Sequence, residues 1–512
     1  MLLYNLKIKR PRCTLLYMYR SRPKDKLDDH VLRFLSSMQH DQSILYYDIL
    51  GSEAHSIMLH EMGHLTSGEL KKILSALEDA KKNPDRIETE GYEDIHEALE
   101  AFVIKRAGMD AGGKMHTARS RNDQVVLDIR MKIRDDINEI CTALASLIEG
   151  LVEKAKETKQ AAMPMYTHLQ QAQIGTFSHF LLSYAYALMR DMERLYLVYQ
   201  RVNQSPLGAC AIGGSSISID RKRTAVLLGF DSIVRNSIDA TSSRDAFLEY
   251  AATLAILTST LGRIAEDFII WSTSEFGYIE LADRYSSTSS AMPQKKNPDP
   301  LELTRAKAAI VASNLVSMLG IVKALPSGYS RDLQDVKPPL LGASAITLDT
   351  IRVIDGAARS LKVNKEKMCR AASTSYAIAL DIAEQLVMKN KMPFRAAHKI
   401  VGALVNRAAS MDNLPLAKLQ LSDVTSVLKT QKAGVSIKPD EMMKIIKEMT
   451  PEKSLQVRKS TGSPNLQEQQ EMIESLSQGV SNYKVGIQKR TKMVQGSFDN
   501  LNRIVRKYLQ QS

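Results

Sequence analysis

Across 123–158, eight apolar residues (Val126, Ile129, Ile133, Ile137, Ile140, Leu144, Leu147 and Leu151) recur at steps of three and four with charges between them. That is the period of one helix face, and a stripe of that length has to be buried along all of it. Comparable runs cover about 177–200, 242–273 and 301–325. Rods this long bury their faces in bundles, and each offers more apolar stripe than its neighbours need. The pattern predicts an all-α fold around a central long-helix bundle, extended by identical subunits. Before about 115 the helices are shorter and broken at Gly51, Gly63, Gly68 and Pro84, and from about 371 a mostly helical end region is punctuated by Pro393, Pro415, Pro439, Pro451 and Pro464. The expected division is an N-terminal helical domain 1–117, with 1–17 a disordered extension, a bundle domain 118–370 and a C-terminal domain 371–512. No internal repeat is visible.

The chain has 512 residues and a net charge of +12, which raises the question of nucleic acid. The excess sits at the ends: residues 1–26 carry eight Lys/Arg against one acid and residues 452–512 ten against five, leaving a body with 51 of each sign. A neutral body offers no footprint to a phosphate backbone, so neither nucleic acid nor, with no stretch apolar enough to span a bilayer, a membrane is an expected partner. Cys13, Cys141, Cys210 and Cys369 show no metal-ligand spacing, which fits a reducing compartment, and the cytoplasm is the expected location. The first residues lack the apolar block of a secretory signal, and Met18 is an alternative start.

The stretch Ser289 to Pro298 places hydroxyls, Lys295, Lys296 and Asn297 where Pro293, Pro298 and Pro300 forbid regular structure, so it reads as a polar loop held between rods. Two further clusters stand at expected helix starts. His116 to Asp123 offers Arg119, Arg121 and Asn122 to an anion, through guanidinium pairing and the free amides of a first helical turn. Tyr166 to Gln173 gathers His168, Thr167 and three carboxamides.

Two pattern matches carry no chemistry. His60-Glu61-Met62-Gly63-His64 fits HExxH, but Gly63 and the capped start that follows end the helix between the histidines. Gly108 to Lys114 fits GxxxxGK, yet Met115 stands where magnesium needs a hydroxyl.

The segments Ser289–Pro298, His116–Asp123, Tyr166–Gln173, Pro206–Arg221 and Asn236–Asp245 together resemble the argininosuccinate lyase family of the fumarase/aspartase superfamily. Met292, Pro293, Lys295, Asn297 and Pro298 form a motif shared across the superfamily, while Thr117 to Gln124 and Gly328 to Gln334 are similar to the argininosuccinate branch. The likeness runs from about Phe34 to about Pro464; the family's tryptophan- and glycine-containing motif is not visible around Met18 to Pro23.

The resemblance implies a fumarase/aspartase-like bundle flanked by two smaller mostly helical domains. It implies cleavage of argininosuccinate to arginine and fumarate, the last step of arginine biosynthesis, without cofactor or metal. Ser289 is then the base and His168 the acid, with Glu302 its carboxylate partner, and Lys295 and Asn297 hold the carboxylate where charge accumulates. Ser37, Asp41, Arg121, Asn122, Thr167, Tyr329, Gln334 and Lys337 are implied substrate contacts, and Arg244 lies near the site. A homotetramer whose active sites are each shared among three subunits is also implied. Thr288 departs from the family, which has glycine there, and a β-branched residue would be strained if positive φ were required. A sister enzyme releasing fumarate from another substrate and a catalytically silent structural protein are the alternatives.

Overall fold

The computed structural model describes residues 28–430 and 437–510. The expected extension 1–17, the start at Met18 and the stretch Met18–Pro23 lie outside them. Helix dominates; the sheets among the described residues are two-stranded. Five rods lie side by side: Arg121–Glu157, Phe177–Val202, Asp245–Ser272, Asp299–Val322 and Lys337–Ser360. The first four end within three residues of their expected limits. The fifth was not anticipated; it opens on Pro338 and Pro339, which a first turn tolerates because its amides have no helical partner.

The first rod begins with reciprocal caps: the Ser120 hydroxyl accepts the Asn122 N–H at 3.3 Å, and Asp123 accepts the Ser120 N–H at 3.0 Å. Its stripe, from Val126 to Val152, forms the middle of the main core with Phe177, Leu181, Leu188, Tyr250, Leu254 and Leu261. A second core joins the N-terminal helices Leu45–Glu61, Ser67–Lys82 and Ile95–Ala107. A third holds the C-terminal helices between Ala372 and Val457 together with Ala162 and Ile174.

The longest helix, Leu466–Gln510, spans two of these cores. Ile473, Leu476, Val480 and Ile487 enter the bundle core, and Val494, Phe498, Leu501 and Val505 enter the N-terminal one. It fastens the N-terminal helices to the rods.

Two expectations need correction. Residues 166–173 are not a helix start: Ala162–Thr167 and Gln170–Thr176 pair as an antiparallel hairpin, and the helix begins at Phe177. His168 and Leu169 form its turn at φ +55° and +56°, the left-handed pair that matches strand twist. Neither is glycine, so the turn carries about 1–2 kcal/mol of strain per residue, which the ladder and the packing of Tyr166 sustain. Second, helix Asp299–Val322 is long and apolar enough to cross a bilayer by length and composition alone. It packs lengthwise against the third and fifth rods, while Leu303 and Val316 remain 60% and 67% exposed. An uncovered apolar stripe on a packed rod is the pattern of a subunit contact.

Candidate active site

Six of the expected substrate contacts, Ser37, Arg121, Arg244, Tyr329, Gln334 and Lys337, line one narrow pocket. It lies where the first rod starts and the third begins, with Arg244 as the third rod's N-terminal flanking residue. Asp41 lies beside it, wholly buried: it accepts hydrogen bonds from the Ser37 hydroxyl (2.8 Å) and the Ile95 N–H (3.3 Å), and it pairs with buried Lys337. Arg331 and Gln334 both donate to the Leu35 carbonyl, at 3.0 and 3.1 Å, closing the Ser37 segment over the pocket. Arg121 is paired with Asp94 at 3.0 Å and with Glu93 at 3.4 Å, and Arg331 meets Glu93 at 2.9 Å. Burial pulls the Arg244 guanidinium down to about 10, partly opposed by Tyr329. Asn122 turns its side-chain amide to the Ala211 carbonyl at 2.9 Å.

Sequence reasoning missed Asp94 and His96, which line the same pocket. The available signal was Glu93-Asp94-Ile95-His96, an acid-rich helix start of the kind already weighed at Asn122 and Asp123. His96 is buried between Asp48, at 3.0 Å, and Asp128, at 3.5 Å. Burial opposes its charge, but Asp48, Asp94 and Asp128 outweigh that and lift the imidazole to about 9. Burial likewise opposes ionisation of Asp48, yet His96, Arg119 and Gln124 hold it below the usual carboxylate range. Asp128 is pushed well up by burial and by the charge on Asp48. The ligand atoms of these three side chains lie within 4.8 Å of one another, a spacing that could hold a metal ion. The His96 imidazolium and the nearby Arg119 guanidinium bring positive charge to this cluster.

The Ser289 loop is built differently. Ser287–Thr288 and Lys296–Asn297 form a minimal antiparallel ladder, and the loop between them projects outward, exposed from Ser290 to Lys295. Thr288 sits in that ladder and is not among the positive-φ residues, so its side chain brings no left-handed strain. The base is tied down by Ser287 donating to Asp299 and by Lys296, which meets Asp283 at 2.8 Å, Glu280 at 3.3 Å and the Leu281 carbonyl. The Ser289 oxygen accepts the amides of Met292 at 3.0 Å and Ala291 at 3.3 Å. Two amide dipoles aimed at that oxygen favour developing negative charge on it. Lys295, Asn297 and Glu302 line an adjoining open cleft together with Ser272 to Glu275.

His168 and Thr167 stand exposed at the hairpin tip and line neither pocket. The hairpin is held by a Tyr166–Tyr278 hydroxyl contact at 2.8 Å and by Tyr166 packing on Trp271 and Phe276. It therefore stands at the C-terminal end of the third rod, as does the Lys295 cleft. Arg244 marks the other end, 28 helical residues away. At 1.5 Å per residue that is roughly 40 Å. One chain thus brings six of the expected contact residues together, and separately the loop residues, but does not bring Ser289, His168 and Arg121 into one pocket.

The two set-aside motifs are resolved by local geometry. Helix Leu45–Glu61 ends before Gly63, at φ +83°; His60 reaches the Leu65 carbonyl and His64 the Ser218 carbonyl, each at 2.7 Å. Glu61 is paired with Arg223 at 2.7 Å. Within 108–114 only Met109–Gly112 is helical, and Lys114 pairs with Glu69 at 2.5 Å.

Residues 22–312 match the lyase family, and residues 376–455 match the argininosuccinate lyase C-terminal family. The argininosuccinate lyase of Nitrosopumilus maritimus is 49% identical over 486 residues, 95% of this chain and 99% of that protein. That of Methanocaldococcus jannaschii is 38% identical over 93% of this chain and 96% of that protein. Among solved structures, an EDDS lyase in complex with formate superposes with a TM-score of 0.84 at 29% identity, covering 94% of this chain and 95% of that one. A fumarate lyase from Mesorhizobium sp. BNC1 superposes at 0.66 and 19% identity, over 89% of this chain and 99% of that one, which shows the shared fold. The chain is a lyase, and it belongs to the argininosuccinate lyase family.

Proposed function

We propose that the protein cleaves argininosuccinate to arginine and fumarate, with Ser289 as base and His168 as acid. The observation that carries the roles is the Ser289 oxygen, turned toward two backbone amides beside a cleft that holds Lys295 and Asn297. Ser289 takes the proton on the carbon beside a carboxylate, leaving carbanion-like charge that Lys295 and Asn297 stabilise. The C–N electron pair then leaves on the guanidino nitrogen, which takes a proton from His168, and the carbon–carbon double bond of fumarate forms. Glu302 orients His168. Arg121, Asn122, Tyr329, Gln334 and Lys337 hold the substrate with Ser37, Asp41, Thr167 and Arg244, and no cofactor is required.

The reaction needs the two ends of the third rod in one site, so copies of the chain must supply them to one another. A homotetramer packed on the uncovered side of helix Asp299–Val322 meets that need, each active site drawing on three subunits. The division 1–117, 118–370 and 371–512 is retained, with helix Leu466–Gln510 serving the first two parts. A cytoplasmic role at the last step of arginine biosynthesis goes with this activity. The test is fumarate absorbance on adding purified protein to argininosuccinate, with adenylosuccinate and aspartate as comparisons. Release from argininosuccinate alone is expected; fumarate from adenylosuccinate or aspartate instead would replace this reading.

A further inference from the structure

Asp123 does more than cap the first rod. It is wholly buried, and beyond the Ser120 N–H its carboxylate accepts two amides of a distant loop, Gly208 at 2.9 Å and Cys210 at 2.8 Å. Gly208 and Cys210 have φ of +85° and +57°, so both amides turn toward one point and form a small anion nest filled by Asp123 itself. Asn122 grips the same loop through the Ala211 carbonyl. From the far side Arg221 donates to the carbonyls of Leu207 and Pro206, at 2.9 and 3.1 Å.

The clamped loop runs on to Ile212, whose side chain lies against Gly328: a Cβ on that glycine would stand 2.9 Å from Ile212 Cδ1. Gly328, at φ +97°, precedes Tyr329, which lines the same pocket as Arg121. A short series of contacts therefore joins the two walls of the pocket.

We propose that Asp123 is a positioning residue, whose carboxylate locks loop 208–212 and thereby sets the Gly328–Tyr329 wall against Arg121 and Asn122. A cap alone would need only the Ser120 amide; the other two acceptor contacts serve the loop. Burial pushes the Asp123 carboxyl up, and the amides of Ser120, Cys210 and Gly208 oppose this, as expected of a charge kept for its contacts. The assignment rests on the lyase reading of the pocket.

Two variants test it. Asp123→Asn keeps the shape but turns an NH₂ toward one of the donors, and Ile212→Ala removes the loop's contact with Gly328 while leaving Asp123 and the cap intact. In Asp123→Asn, KM for argininosuccinate is expected to rise about tenfold or more with kcat changed far less, since positioning acts on binding. Ile212→Ala is expected to raise KM several-fold with an unchanged melting temperature. Hydrogen exchange of the peptide covering 326–333 should quicken in both. A normal KM in Ile212→Ala, with Asp123→Asn affected only in melting temperature, would leave Asp123 a helix cap and end the proposal. Unchanged exchange at 326–333 in both variants would end it whether or not argininosuccinate is the substrate. Absence of fumarate from the unmodified protein would instead overturn the functional reading alone.

Discussion

The two ends of the third rod differ in how completely one chain builds them. At the Arg244 end the polar groups are buried or half-buried and already paired: Lys337 with Asp41, Arg121 with Asp94, His96 with Asp48. At the other end Ser290 to Lys295, His168 and Glu302 are exposed, and only the base of the loop is tied down. A buried charge must be satisfied within the fold or the fold fails, so the Arg244 end is complete in one chain. Under the proposed roles the exposed end transfers protons, and such groups can stand in water until they are covered and act best once covered.

The largest effect should come from breaking the exposed end. Ser289→Ala is expected to lower kcat by roughly 10³-fold with an unchanged melting temperature, because the side chain serves chemistry and not packing. Mixing it, after dissociation and reassembly, with an equally inactive Arg121→Ala protein should restore activity that neither has alone. No recovery would mean that each chain serves itself and would remove the 40 Å argument.

Breaking the buried end should cost stability as well as activity. Lys337→Met leaves Asp41 buried without its cation and is expected to destabilise the protein by about 3–5 kcal/mol. Denaturant unfolding measures this, and Asp41→Asn added to Lys337→Met should recover part of the loss. A Lys337→Met protein as stable as the parent would show that the pair is not buried in solution.

The pH dependence sharpens the same contrast. The folded pKa of His96, about 9, lies above its ordinary value near 6.5, so its stabilisation is fully present below about 6.5 and is lost as pH rises through 9. His96→Gln should therefore be less stable than the parent at pH 6, with the gap closing toward pH 9.5. His55 has the opposite sign: burial, with Arg119, holds it down to about 3, so its neutral form favours folding above 6.5 and that advantage fades as pH falls. A gap for His96→Gln that widens with pH would contradict the ion-pair assignment.

The smallest effect concerns metal. Chelator treatment, and His60→Asn with His64→Asn, should change fumarate release less than about twofold, since those imidazoles face different carbonyls. A metal-dependent loss in the parent that survives the double substitution would redirect attention to Asp48, His96 and Asp128.

What could be read from the chain follows signal density. The first four rods were legible because their apolar residues recur every three or four positions. Helix Leu466–Gln510 carries the same periodicity thinned to seven-residue steps at Ile487 and Val494, among Gln, Glu and Lys, and was not singled out from the mostly helical end region. The hairpin at His168 was missed because its turn lacks the Asn-Gly or Gly that usually announces a left-handed pair. At the site, the clusters around Arg121, His168 and Ser289 were visible as unusual polar density. Asp94 and His96 were not singled out, since one acid and one histidine at a helix start resemble any cap.

The amino-acid order by itself determined the helical class, the rods and the three polar clusters, because periodicity and composition act over a few turns of chain. Only the tertiary structure decided that the clusters fall at opposite ends of one long helix, that Asp123 holds a distant loop, and that an apolar rod is left half uncovered. Those facts depend on which faces meet across long stretches of chain, and side-chain spacing along a helix carries no information about its partner.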